Sequence, residues 1–172
     1  MRTRFIGLLA IAFMTGPVRP SNAADMDTEF EKIGERYIAQ VTEFSPVQAT
    51  GLGDHRFDGE LDDISPETRE RQKNWIQKVT AQLAAIKPDR LSRRHQVDWA
   101  LMNHSLNARL WRLTVLREWS WNPLIYTGIA GDSLYGLMAR DFAPERQRLN
   151  NAAKRLEPVS YTHLTLPTNR EV

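Results

Sequence analysis

The chain has no cysteine. That excludes disulfides, thiolate metal sites and a cysteine nucleophile, whatever the redox state of its compartment. It also excludes a lipid-modified N-terminal cysteine. Between Asp25 and Pro158 there is no H-E-x-x-H, the spacing that turns two imidazoles on one helix toward a single zinc ion. Phosphate-cradling glycine loops and G-x-S-x-G elbows are missing as well. Most serines stand where helices would begin, which capping explains. The longest apolar run, Phe5 to Met14, falls short of the about 20 residues that a membrane-crossing helix needs. Strand-like alternation is confined to the last segment, and there is no internal repeat or low-complexity linker.

The two ends read differently from the middle. Met1 to Arg4 is basic, Phe5 to Met14 is apolar, and Ser21-Asn22-Ala23 gives the small-x-small pattern that precedes a cut. Residues 1–23 are therefore expected to be a secretory signal peptide, cleaved after Ala23 or Ala24. The expected destination is the periplasm or the medium, with no membrane anchor left after cleavage. At the other end, Val159 to Thr168 (VSYTHLTLPT) reads codon for codon as a transposase-adapter DNA end, GTC TCT TAT ACA CAT CTG ACG CTG CCG ACG. Residues 159–172 are expected to be adapter-derived, so that Tyr161 and His163 carry no function and the natural gene continues past Pro158.

Charge follows the same division. The whole chain is formally +2, but Arg2, Arg4 and Arg19 lie in the leader, and Arg170 and Glu171 cancel in the tail. Asp25 to Pro158 is left at −1. Nothing in this balance points to nucleic acid or to an anionic membrane.

The middle, 24–158, is punctuated as helices. Thr28-x-x-Glu31 has the form of a capping box, followed by Phe30, Ile33, Tyr37, Val41 and Phe44 at helical spacing. Ser45-Pro46, with Gln48 completing another box, opens a short helix that Gly51 or Gly53 should end. Ser65-Pro66-Glu67 opens a third helix, whose stripe is Trp75, Ile76, Val79, Leu83 and Ile86, with Pro88 as the stop. Ser92 should cap a fourth helix, with Val97, Leu101, His104, Ala108, Trp111 and Val115 on its apolar face. That places His104 among core residues and leaves His95 solvated. After Asn122-Pro123 a bend is expected at Gly128 to Gly131, then a short helix carrying Leu134, Leu137, Met138 and Phe142. Ala143-Pro144-Glu145 should start a last helix carrying Leu149, Ala152, Ala153 and Leu156. The fold class is all-α, an irregular bundle of amphipathic helices forming an incomplete part of a larger helical fold.

Two groups of residues could carry chemistry. The loop residues Asp54, His55, Arg56 and Asp58 could line a cleft or steady a partner segment. They equally suit a structural loop in which the acids accept turn hydrogen bonds and Arg56 pairs with them. Trp119, Trp121 and Tyr126 could form an aromatic surface, though tryptophans at helical spacing more often pack inside.

The blocks FEKIGERYIA (30–39), SPVQATGLGDHRFDGELDDISPE (45–67), REWSWNPLIY (117–126) and LMARDFAPERQRL (137–149) occur in this order. In that order they resemble the opening of the bacterial "domain of unknown function 885" family. The resemblance implies a large, mostly helical protein, commonly exported or lipoprotein-like. It also implies a zinc-dependent peptidase by virtue of a His-Glu-x-x-Pro-Gly-His-type motif much further along. No catalytic or metal residue can be placed in this chain on that basis, and the fragment itself is expected to bind no cofactor, with zinc belonging to the full-length protein. Its partners would be the missing C-terminal part of its own chain and, for the whole protein, a peptide substrate. The alternative is a self-contained periplasmic helical module that binds or scaffolds without enzymatic activity.

Overall fold

The computed structural model describes residues 23–165, with side chains described for 25–158. The expected signal peptide, except its last residue, and residues 166–172 of the expected adapter tail lie outside the described residues. Six α-helices follow one another: α1 Ala23–Val41, α2 Pro46–Leu52, α3 Pro66–Ala85, α4 Arg93–Trp111, α5 Leu124–Met138 and α6 Glu145–Thr165. No strand occurs among the described residues, and the fold is all-α. No helix among them is long and apolar enough to cross a membrane.

Helices α1, α3 and α4 enclose a hydrocarbon core. Phe30 and Ile33 from α1 meet Ile76, Val79 and Leu83 from α3 and Met102 and Leu106 from α4, with Ile86 and Leu91 closing the end. Each fully buried aliphatic side chain here contributes roughly 1.5–3 kcal/mol. Polar tips at the edge are satisfied: Trp99 Nε1 donates to the Leu83 carbonyl at 3.1 Å, and Tyr37 Oη meets Ser105 Oγ at 3.1 Å. Trp75 stacks on Tyr37 and donates through Nε1 to Gln40 Oε1 at 2.8 Å.

Local signals explain several boundaries. Ser65 Oγ accepts from the Thr68 amide at 3.2 Å, and Pro66 occupies the first turn of α3. Gly53, at φ 88°, closes α2 in the left-handed region that favours glycine.

Three expectations are corrected. Helix α1 starts at Ala23, so Thr28 and Glu31 lie inside it rather than at its cap. Helix α5 runs unbroken through Gly128 and Gly131, because α2 and α6 pack on it and override weak propensity. On α4 the face turned inward is Trp99, Met102, Leu106 and Leu110. The face expected to be buried lies outside: Val97, Leu101, Trp111 and Val115 are 46–64% exposed, and His104 is exposed. On α6, Leu149 and Leu156 are exposed, whereas Arg148, Ala152 and Arg155 point inward.

Beyond Trp111, α4 widens into a π turn over Arg112–Leu116, closed by the Arg117 amide donating to the Arg112 carbonyl at 2.9 Å. Arg117 takes a positive φ of 51°, uncommon outside glycine, and turns the chain into a short 3-10 segment, Glu118–Ser120.

Candidate functional site

The loop singled out by its charges folds into a 3-10 turn, His55–Phe57, wedged between α2 and the α5–α6 pair. Asp54 and Arg56 pair by two bonds, Nε to Oδ1 at 2.8 Å and Nη2 to Oδ2 at 2.7 Å. Those bonds hold the Asp54 carboxyl well below the ordinary aspartate range. Arg56 also reaches the Ala39 carbonyl and Thr42 Oγ1, which ties the loop to the end of α1.

Asp58 is different, since it is buried. It accepts from Thr50 Oγ1 at 2.7 Å, and His55 Nδ1 faces its two oxygens at 3.1 and 3.2 Å. The His55 ring stacks on Phe142, with centroids 4.0 Å apart. Behind Thr50 lies Arg155, a fully buried guanidinium at 0% exposure. Its Nη1 donates to the Ser133 carbonyl at 2.8 Å and its Nη2 to Thr50 Oγ1 at 2.7 Å. The carbonyls of Pro46 and Phe57 stand at 3.3 and 3.4 Å. One side chain therefore joins α2, the loop, α5 and α6. Burial lowers the pKa of Arg155, and the nearby carboxylates Asp58 and Asp62 oppose that shift. Its Nε is buried without a partner among the described residues.

Asp62 accepts from the Val47 amide at 2.9 Å, capping the first turn of α2 from outside the helix. Burial raises its pKa, against the Val47 hydrogen bond and the attraction of Arg155. Asp62 also lines an open cleft of about 540 Å³ between α2 and α5, with Asp132, Arg140 and the apolar Val47, Ile125 and Ile129. A second buried arginine, Arg148, closes the helix turn. It donates to the carbonyls of Leu137, Met138 and Ala143 and pairs with Asp141 at 2.7 Å.

Chemically, this junction compensates charge. His55 and Asp58 have the geometry of an oriented imidazole, and among the described residues no hydroxyl bonds to the ring. His95, expected to be solvated, is largely buried. Its Nδ1 lies 3.1 Å from Asp27 and its Nε2 3.2 Å from Glu31. Asp27 takes the Ser92 amide at 2.9 Å, which keeps its carboxyl acidic. Because the carboxylates sit at opposite ring nitrogens, they cannot converge with one imidazole lone pair on a cation. Among the described residues no group of three or more His, Asp or Glu is arranged to hold a metal ion.

The aromatic residues separate. Trp121 is 60% exposed, while Trp119 and Tyr126 are half-buried. Tyr126 Oη donates to the Trp119 carbonyl at 2.6 Å, and the Arg69 guanidinium lies 3.7 Å from the Trp119 ring centroid. Sequence reasoning missed Thr50, Asp62, Ser133, Phe142, Arg148 and Arg155. The available signal was the i, i+4, i+7 spacing of Arg148, Ala152 and Arg155, which puts all three on one face of α6.

Residues 46–165 match the model of a family described as bacterial protein of unknown function (DUF885). The match runs past Pro158 and into residues 159–165 of the expected adapter-derived tail. A solved structure described as "a putative lipoprotein of unknown function from Shewanella oneidensis" superposes with a TM-score of 0.69 at 25% identity. The alignment covers 77% of this chain and 24% of that one, so the chain spans about a quarter of that relative's length. No curated protein matches.

Proposed function

The chain belongs to the DUF885 family, and from that premise we propose that it forms the helical N-terminal wall of a larger, exported, zinc-peptidase-like body and is not catalytic by itself. The observation that carries this reading is the outer face of α4. Val97, Leu101, Trp111 and Val115 recur at helical spacing and remain exposed, although α4 already has a complete inner face. An apolar stripe of this kind has a cost in water and suits a surface that something covers. The short span of the solved relative that the chain covers supplies room for that cover.

The described residues do not fit a zinc site, so zinc and the hydrolytic step belong, in this reading, to sequence outside the matched segment. What this chain supplies is a rigid wall. The apolar core fixes α4, and the Arg155 junction fixes α5 and the cleft beside Asp62. Calorimetric titration of the purified chain with Zn²⁺, together with an assay on a mixed peptide library, tests the assignment. The expected result is no stoichiometric zinc binding and no hydrolysis. One-to-one binding at sub-micromolar affinity would overturn it.

A further inference from the structure

Beside the exposed stripe, α4 borders a groove of about 510 Å³ whose lining includes His104, Arg109, Arg112, Glu118 and Trp119. The guanidiniums of Arg109 and Arg112 make no hydrogen bond or ion pair among the described residues, and neither does the His104 ring. The Trp119 ring already carries Arg69 at 3.7 Å and Arg117 at 5.0 Å. Two guanidiniums thus sit at the indole, and two more, Arg109 and Arg112, line the groove it borders against the single carboxylate of Glu118. The stretch from Asp25 to Pro158 is −1 overall, so the concentration of positive charge is local and is not a consequence of net charge. Unpaired arginine forks next to an aromatic face are suited to carboxylates.

The apolar stripe runs along the same helix through Leu101, Trp111 and Val115. From Val97 to Trp111 it extends about 20 Å at the rise of an α-helix. A rod-shaped ligand with one apolar face and acids along its edge would cover the stripe and reach Arg109 and Arg112 together. We infer that this surface seats an acidic amphipathic helix, supplied by the remainder of the larger body; the inference rests on the reading given above. A flat anionic membrane fits less well, because the arginines line a recess between α4 and Trp119 and do not form a convex plane. Complementary charge sets register and selects against wrong partners, while the stripe contributes the area.

The full chain is titrated into a dye-labelled Leu/Glu amphipathic peptide of about five helical turns, and binding is read by fluorescence anisotropy. Binding is expected, with affinity falling about tenfold or more in the double variant Arg109→Glu/Arg112→Glu. The single variant Arg112→Glu, at an exposed position, should weaken it in the same direction while circular dichroism stays unchanged. A remote reversal of equal charge, Lys78→Glu/Arg146→Glu, should leave affinity within about twofold. Equal binding of a Leu/Lys peptide, or an equal loss in the remote variant, overturns the proposal. So does competition by inorganic phosphate or phosphatidylglycerol vesicles in place of peptide, or self-association of the chain abolished by the same variants. A chain that binds zinc yet still selects the acidic peptide removes the larger-body reading and leaves the groove's chemistry standing. A chain that ignores the peptide overturns the proposal and leaves the larger-body reading standing.

Discussion

The two halves of the molecule are held together by different forces. Around Ile76, Leu83 and Leu106, three helices share a core of hydrocarbon, which is non-directional and tolerant of small changes in shape. Where α2, α5 and α6 meet, the fully buried groups include Arg155 and Ser133, and the joints are hydrogen bonds to named carbonyls. The comparison teaches how each half should fail. A core that loses a methyl group keeps its remaining contacts, whereas a polar junction that loses its cation leaves the buried Asp58 carboxylate without the charge of Arg155 and its acceptors with fewer donors.

The largest effect is expected from Arg155→Met, which keeps much of the volume and removes the donors. It should cost about 3–5 kcal/mol in urea unfolding, the range for breaking a buried charge network on one side. Native-state hydrogen exchange should show the loss concentrated in α2 and α5, with the amides of α4 little changed. A uniform loss across both halves would erase the distinction. Next comes Leu106→Ala, at a position with 0% exposure. A cost of about 3 kcal/mol is expected there from lost burial and the cavity left behind, checked by the same unfolding curves. A larger cost for Leu106→Ala than for Arg155→Met would invert the comparison.

The smallest effect concerns Asp62. Burial raises its pKa in the folded chain, so the unfolded chain ionises first as pH climbs. Wild-type stability therefore falls from the unfolded aspartate value, about 3.9, up through the raised folded value, and the penalty is complete above it. Asn at this position keeps a carbonyl oxygen for the Val47 amide. Asp62→Asn should thus raise Tm at pH 7 and lose that advantage below about pH 4. Equal Tm values at pH 7 would show that the carboxylate is not penalised where it sits.

How far the chain could be read in advance divides along the same line. Helix α3 was legible from its Ser65-Pro66 start and from Ile76, Val79 and Leu83, because cap chemistry and a single apolar stripe agree. Helix α2 was legible from Pro46 and Gly53 for the same reason. Helix α4 misled because it carries two apolar stripes, and periodicity alone does not say which one meets the core. For α6 the bias toward solvated arginine hid the inward face. Nothing local reveals that carbonyls from Pro46, Phe57 and Ser133 converge where the guanidinium of Arg155 ends. The Asp54–Asp58 loop was readable as turn chemistry. That Asp58 alone would be buried depended on how α2 brings Thr50 over it and on α6, which is remote in sequence.

The reach of Arg155 also sets an order in time. Its bond to the Pro46 carbonyl joins positions 109 apart, about three quarters of the described span of 23–165. The hydrocarbon half has all its parts once Leu110 has been synthesised. Helix α2, although made early, has the Thr50 hydroxyl 3.4 Å from its Pro46 carbonyl from the start but gains the Arg155 guanidinium only with the last described helix. A nascent chain of this sequence therefore carries one finished half and one open seam for as long as synthesis takes to travel from α4 to Arg155.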